Sequence, residues 1–211
     1  MAEHISYLLL GSVAGILAGL LGVGGGLVIV PVLAWLFYRS DMAPEVVMHL
    51  AIGTSLATIV FTSLSSIWAH HRRGAVLWTA FRQMTPGIVL GAVLGAAVAD
   101  TLPSETLQWI FGVFELVVAL QMGLNIQPDP HRTLPGKWGM SAAGSLIGMV
   151  SAVVGIGGGT MTVPFLQWCN VPMRQAVATS AACGLPIAVA GAAGFVIVGW
   201  DTPALPAWSS G

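Results

Sequence analysis

Residues 22–31 of the chain read Gly-Val-Gly-Gly-Gly-Leu-Val-Ile-Val-Pro, and residues 155–164 read Gly-Ile-Gly-Gly-Gly-Thr-Met-Thr-Val-Pro. The second stretch repeats the glycines and the proline of the first at an offset of 133 residues. Consecutive glycines disfavour a helix, because each is roughly 1 kcal/mol less favourable than alanine, and an interior proline removes a backbone hydrogen bond. The motif therefore predicts a break in a helical segment, and the chain carries it twice.

The sequence around both motifs is too apolar for a soluble protein. Charged residues make up 7% of the chain and hydrophobic residues 56%, whereas about 25% of an ordinary soluble domain is charged. The apolar stretches are continuous and do not alternate, which favours membrane helices over barrel strands. We therefore predict an all-α polytopic membrane protein, with the lipid bilayer as a partner.

Six segments are predicted to enter the membrane: 5–38, 46–69, 76–99, 105–125, 138–169 and 175–198. The first and fifth would each be about 50 Å long as unbroken helices at 1.5 Å per residue, which exceeds the bilayer core of about 30 Å. Each contains one glycine motif near its middle. Both segments are therefore expected to be broken helices or helical hairpins.

A second match supports an internal duplication. Residues 51–55 read Ala-Ile-Gly-Thr-Ser, and residues 176–180 read Ala-Val-Ala-Thr-Ser at an offset of 125. We predict a first membrane repeat at 1–126, a cytoplasmic linker at 127–137 and a truncated second repeat at 138–211. The second repeat has no counterparts of the third and fourth segments, which predicts either a fragment of a longer protein or a partner chain that supplies them.

The charged residues predict the orientation of the repeats. Two loops are rich in basic residues, and the positive-inside rule therefore predicts that both are cytoplasmic. One loop region contains His70, His71, Arg72, Arg73 and Arg82, and the other contains His131, Arg132 and Lys137. The loop at 99–105 holds only acids, and so does the chain after residue 198, whose counterpart in the first repeat is basic. Equivalent loops on opposite faces favour inverted repeats. The alternative is parallel repeats whose broken segments cross fully.

The glycine motifs are the predicted anion site. A break leaves backbone N–H groups without helical partners, and the positive end of the following helix attracts an anion. The predicted substrate-binding glycines are Gly22, Gly24, Gly25, Gly26, Gly155, Gly157, Gly158 and Gly159. The alternative role of glycine is close helix packing, which we assign to the triplets Gly11, Gly15, Gly19 and Gly87, Gly91, Gly95 because of their Gly-xxx-Gly spacing.

Four hydroxyl residues are predicted to complete the site, namely Thr54, Ser55, Thr179 and Ser180. Their alternative role is a local bond to a carbonyl of their own helix. Thr160 and Thr162 follow the second motif, where the first has Leu27 and Ile29, so a site between the motifs is chemically lopsided.

Other polar residues allow a few further predictions. Glu115 lies inside an apolar segment, where it either couples proton movement or stays neutral and hydrogen-bonded. Cys169 and Cys183 lack metal or redox spacing and are expected to pack in the interior. No catalytic set, metal site, cofactor motif or basic face for nucleic acid is recognisable, so we expect neither an enzyme nor a nucleic-acid-binding protein.

The doubled glycine motif, each copy followed by a Thr-Ser pair, resembles the TauE/SafE family, also called the sulfonate uptake permease family. The resemblance covers essentially the whole chain. It implies a secondary transporter, exporter or permease, for small anions such as sulfite or organosulfonates in the bacterial inner membrane. An anion channel and a non-transporting membrane subunit are the alternatives, and the sequence leaves open whether the chain forms a homo-oligomer.

Overall fold

The computed structural model describes residues 25–40, 42–124 and 133–200. These residues form seven α-helices and no strand: α1 Gly26–Arg39, α2 Pro44–Arg72, α3 Trp78–Asp100, α4 Ser104–Gly123, α5 Lys137–Val154, α6 Gly159–Trp168 and α7 Met173–Gly199. Five of them, namely α2, α3, α4, α5 and α7, are long and apolar enough to cross a membrane, judged by length and composition. The all-helical membrane fold is confirmed.

Proline marks the start of three helices. Pro44 is the first residue of α2, and Pro103 and Pro172 immediately precede α4 and α7 in extended backbone. A proline at these positions costs no hydrogen bond, because the first N–H groups of a helix have no partner within it. Pro31 and Pro164 of the two motifs instead lie inside α1 and α6. The helices α1 and α6 therefore continue past these prolines.

The helices α2 and α7, which carry the two Thr-Ser pairs, pack side by side in opposite directions. Near the start of α2, Gly53 faces Phe195 close to the end of α7. Farther along, Leu56 contacts Gly191, and Ser63 lies beside Gly184. Increasing residue numbers on one helix thus meet decreasing numbers on the other.

The helices α3 and α5 run in the same direction with their backbones in close contact. A Cβ atom on Gly87, Gly91 or Gly95 would overlap backbone atoms of Ser141, Ser145 and Met149 respectively. From the other side, Gly144 and Gly148 leave equally little room against α3. The packing role predicted for Gly87, Gly91 and Gly95 is confirmed, and Gly11, Gly15 and Gly19 lie outside the described residues.

The segment α5–α6 is a helical hairpin. Gly158, at the start of α6, lies against Ile187 halfway along α7, and α6 ends at Trp168, five residues before α7 begins. It therefore runs antiparallel to α7. The helix α3 also runs parallel to α7, because Leu77, just before α3, bonds to Thr179 near the start of α7 and Ala96 contacts Gly194 near the ends of both helices. Since α5 runs parallel to α3, α6 returns toward the end of the molecule where α5 began.

Charged residues separate between the two ends of the described bundle. Arg72, Arg73, Lys137 and Arg174 lie at one end, where the Arg174 Nη2 donates to the carbonyl oxygen of Arg73 at 3.0 Å. The other end carries Glu45, Asp100 and Glu105, with Arg39 as the basic exception. There the Met48 N–H donates to Ser104 Oγ at 3.1 Å. The separation is the one expected from the basic loops, and the side of the membrane that each end faces stays a prediction.

The outer surface of the bundle is as apolar as its interior. Phe61, on α2, is 75% exposed, and Ile197, on α7, is 76% exposed. Between the helices, Leu56, Ile88 and Ile187 are fully buried. An apolar exterior of this kind is suited to lipid and not to water.

Candidate anion site at the second glycine break

Residues 155–158, between α5 and α6, form what we call the second glycine break. Gly155 and Gly158 have φ values of 78° and 74°, in the left-handed region that glycine adopts without a steric penalty. The N–H groups of Gly155 and Ile156 both donate to the carbonyl oxygen of Ser151 at 2.9 Å, which closes the end of α5. The predicted break in segment 138–169 is confirmed, and both outer glycines are required by the backbone.

The first glycine motif, residues 22–26, meets this break at its last residue. A Cβ atom on Gly26 would overlap the carbonyl oxygen of Gly155 and lie 2.7 Å from the Cα of Ile156. Gly26 is therefore in backbone contact with the second glycine break. Gly25 is the residue before α1, whereas Gly22 and Gly24 lie outside the described residues.

The two helices that follow the motifs begin at equivalent positions. Both α1 and α6 start at the last glycine of their motif, Gly26 and Gly159, and neither start has a side-chain cap. The first backbone bonds also correspond, from Ile29 N–H to Gly25 O at 2.9 Å and from Thr162 N–H to Gly158 O at 2.8 Å. An uncapped positive helix end thus follows each motif, and such an end favours a negative ligand.

One of the four predicted hydroxyls bonds directly to the break. Ser55 is fully buried, and its Oγ donates to the carbonyl oxygen of Gly155 at 2.8 Å. Its neighbour Thr54 is half-buried on the same helix. The bond joins α2 to the second glycine break but occupies the hydrogen of the hydroxyl.

The second predicted pair makes other contacts. Thr179 Oγ1 accepts a hydrogen bond from the N–H of Leu77 at 3.0 Å. Ser180 Oγ donates to the carbonyl oxygen of Val177 at 2.8 Å, the local bond typical of a hydroxyl in a membrane helix. Neither contact involves the break.

Three hydroxyls outside the predicted site flank the second glycine break. Ser151 lies in the last turn of α5, and Thr160 and Thr162 lie at the start of α6. Their hydroxyl oxygens are buried and make no hydrogen bond within the described part of the chain. The two threonines could be noticed in the sequence, because the first copy of the motif has Leu27 and Ile29 at the equivalent positions. Nothing in the sequence distinguished Ser151 from other small residues of an apolar helix.

Apolar side chains enclose the break. A Cβ on Gly155 would lie 3.0 Å from Val30 Cγ2 and 3.2 Å from the Cα of Ile52, and one on Gly157 would lie 3.2 Å from Ile59 Cγ2. Gly184, on α7, closes another side, because its Cβ position is 2.8 Å from the carbonyl oxygen of Gly157. In such surroundings each polar interaction with a ligand is stronger than it would be in water.

The remaining predicted residues lie apart from this site or in the interior. Glu115 is half-buried on α4, a helix that packs against α2 and α5, and none of the contacts at the break involves it. Cys169 and Cys183 are both buried, in agreement with a packing role. No group of three metal-ligating His, Cys, Asp or Glu side chains occurs among the described residues.

Comparison with known proteins identifies relatives over most of the chain. The family model for the sulfite exporter TauE/SafE matches residues 7–209. A "Probable membrane transporter protein" of Haemophilus influenzae is 40% identical over 205 residues, which are 97% of this chain and 78% of the relative. YunE of Bacillus subtilis, also named a probable membrane transporter protein, is 30% identical over 84% of this chain and 72% of its own length.

An archaeal relative shows the same pattern. MJ0441 of Methanocaldococcus jannaschii, again named a probable membrane transporter protein, is 30% identical over 82% of this chain, a region that corresponds to 65% of its own length. No solved structure matches the chain significantly.

Proposed function

The chain belongs to the TauE/SafE sulfite exporter family, and on that premise we propose that it is a secondary transporter of sulfite or a small organosulfonate across the bacterial inner membrane. The anion is held where the two glycine motifs meet, between the starts of α1 and α6. Transport of this kind needs no cofactor and no covalent chemistry.

The observation that carries the proposal is the contact of Gly26 with Gly155 and Ile156. It brings together two motifs that are more than a hundred residues apart in the sequence, and each motif is followed by an uncapped helix start. Helix starts that converge from two repeats are the usual form of an anion site in secondary transporters.

The directions of α2 and α7 support alternating access between inverted repeats. Helices that carry equivalent Thr-Ser pairs run antiparallel, as inversion requires, whereas parallel repeats would orient them alike. In this conformation the bonds from Arg174 to Arg73 and from Leu77 to Thr179 hold the basic end of α7 against the turn after α2. Opening toward that end requires these two bonds to break.

The test is flux of sulfite and methanesulfonate into proteoliposomes that contain the full-length protein. Gly26→Val places a side chain against the backbone of Gly155 and Ile156, so it should abolish flux. Gly112→Val is the matched control, because a Cβ at this helical glycine meets nothing within 4 Å. Both variants must remain monodisperse in detergent, which shows that they are folded.

Three outcomes decide the proposal. Saturable flux that is lost in Gly26→Val and kept in Gly112→Val supports a carrier with its site at the motifs. Flux that rises linearly with anion concentration favours an anion channel. Folded wild-type protein that carries neither anion contradicts the sulfur-anion assignment.

A further inference from the structure

We propose that Ser151, Thr160 and Thr162 are the hydrogen-bond donors that hold the oxygens of the transported oxyanion, so that the polar part of the site lies at the second glycine break alone. This inference rests on the proposed function and assigns to its site three residues whose counterparts in the first copy carry no hydroxyl. The hydroxyls of the Thr-Ser pairs then serve mainly the fold.

The three hydroxyls are unusual because they are buried without partners. In residues 25–40, 42–124 and 133–200, the buried side-chain polar atoms that lack a hydrogen bond are these three oxygens and Nδ1 of His49. Ser151 and Thr162 are completely buried. An unpartnered buried hydroxyl is destabilising, and native proteins rarely retain one without a ligand, water or functional reason.

All three residues lie in the helical turns that border the second glycine break. Ser151 lies in the last turn of α5, and its carbonyl oxygen accepts the N–H groups of Gly155 and Ile156, which form the start of the break. The Thr162 Oγ1 lies 3.5 Å from the Cβ position of Gly158, the residue that precedes α6. Thr160 is the second residue of that helix. Hydroxyl donors thus supplement the positive helix end at the point where an anion would bind.

Other hydroxyls in the bundle behave differently. Thr58 and Thr85 donate to carbonyl oxygens of their own helices at 2.7 Å, as membrane-helix threonines usually do. Thr162 makes no such bond, although its own N–H is bonded to Gly158 O. Its hydroxyl hydrogen is therefore available to a ligand.

The sequence makes this arrangement one-sided. At the offset of 133 that aligns the motifs, the counterparts of Ser151, Thr160 and Thr162 are Ala18, Leu27 and Ile29. The first motif can contribute backbone and apolar side chains but none of these hydroxyls. An oxyanion bound between the motifs is accordingly oriented, with its oxygens toward α6.

The experiment compares isosteric variants of the full-length protein. Thr160→Val and Thr162→Val each replace the hydroxyl with a methyl group of similar size, and Ser151→Ala removes the hydroxyl. Thr85→Val is the matched control on α3. Binding of sulfite and of methanesulfonate is measured by calorimetry in detergent, and flux of the same anions in proteoliposomes. We expect the Kd to rise about tenfold in Thr162→Val, since a hydrogen bond to a charged group is lost, and to stay within about twofold in Thr85→Val.

A second measurement separates ligand binding from a structural role. Without anion, the melting temperature of Thr162→Val should equal or exceed that of the wild type, and only the stabilisation by added anion should shrink. Thr162→Ser, which keeps the hydroxyl, should restore binding. A lower melting temperature in all three variants, with an unchanged Kd, would show that the hydroxyls hold a structural water, and this overturns the inference.

The outcomes also separate the inference from the proposed function. Wild-type binding and flux that all three variants retain would overturn the hydroxyl assignment and leave the transporter proposal intact. A wild-type protein that neither binds nor carries either anion overturns both.

Discussion

At the residue scale, Ser55 and Thr162 place the same chemical group in opposite situations. Both hydroxyls are fully buried near the second glycine break, but Ser55 donates to Gly155 O whereas Thr162 has no partner within the described residues. The bond from Ser55 satisfies the Gly155 carbonyl oxygen, against which Gly26 also packs closely. Removal of the two hydroxyls should therefore change stability in opposite directions.

We predict that Ser55→Ala lowers the free energy of unfolding by about 1–3 kcal/mol, because it leaves the buried Gly155 carbonyl oxygen unsatisfied. The measurement is the midpoint of thermal unfolding in detergent, followed by the fluorescence of the tryptophans. Thr58→Val is the control, since Thr58 only adds a bond to a carbonyl oxygen within its own helix. An unchanged midpoint in Ser55→Ala would show that the bond from Ser55 to Gly155 contributes nothing to the fold.

The same residues show how far sequence alone could locate the site. The repeat of the Thr-Ser pair led to the prediction of four ligand hydroxyls, but repetition cannot distinguish a hydroxyl that supports the backbone from one that faces a ligand. That distinction depends on which carbonyl lies within reach, as Val177 O does for Ser180. Ser151 could not have been found, because its role follows from tertiary contacts.

At the element scale, the glycines have two separable tasks. In α3 they permit close contact of two continuous helices, since the spacing of four residues places Gly87, Gly91 and Gly95 on one face. At the second glycine break, Gly155 and Gly158 adopt left-handed backbone, and α5 ends just before Gly155. The four-residue spacing correctly predicted the first task, and the run of consecutive glycines correctly predicted the break. Neither pattern predicted that Pro164 would lie inside α6, where the helix continues past it.

The packing task gives a prediction for Gly91. Its Cβ would overlap the carbonyl oxygen of Ser145, an atom of a rigid helix backbone, so Gly91→Val must separate α3 from α5. We expect a loss of stability of about 1–3 kcal/mol or more, the usual cost of an overpacked interior, measured as a lower midpoint of thermal unfolding. Gly112→Val should leave the midpoint unchanged. Equal midpoints for both variants would contradict the helix contact.

The sequence did not predict whether segment 138–169 crosses the membrane as a broken helix or returns as the hairpin α5–α6. Sequence length required segment 138–169 to be interrupted, yet a broken helix that crosses and a hairpin that returns have the same length and composition. The contact of Gly158 with Ile187 decides between them, because it places the start of α6 halfway along α7. Such a contact arises from the packing of distant segments, which hydropathy does not encode.

At the scale of the whole molecule, the direction of each helix determines which loops share a face of the membrane. Since α2 and α7 are antiparallel, the starts of these helices, at Pro44 and Met173, lie at opposite ends of the bundle. These starts occupy equivalent places in the two predicted repeats. Inverted repeats therefore require that two exposed residues, Glu45 and Met173, face opposite sides of the membrane.

We predict that Glu45→Cys reacts with a membrane-impermeant maleimide added to intact spheroplasts, whereas Met173→Cys reacts only after the membrane is permeabilised. Each cysteine is introduced into a variant that carries Cys169→Ser and Cys183→Ala, so that the maleimide reacts with the introduced thiol. His71→Cys, exposed at the basic end, should behave like Met173→Cys, because the positive-inside rule places that end in the cytoplasm. Labelling of Glu45→Cys and Met173→Cys from the same side would contradict the inverted topology and favour parallel repeats. If Glu45→Cys and Met173→Cys are labelled from opposite sides but His71→Cys is labelled from outside, the repeats are inverted and the predicted orientation in the membrane is reversed. The two results are independent, because inversion depends on helix directions and orientation depends only on a few basic residues.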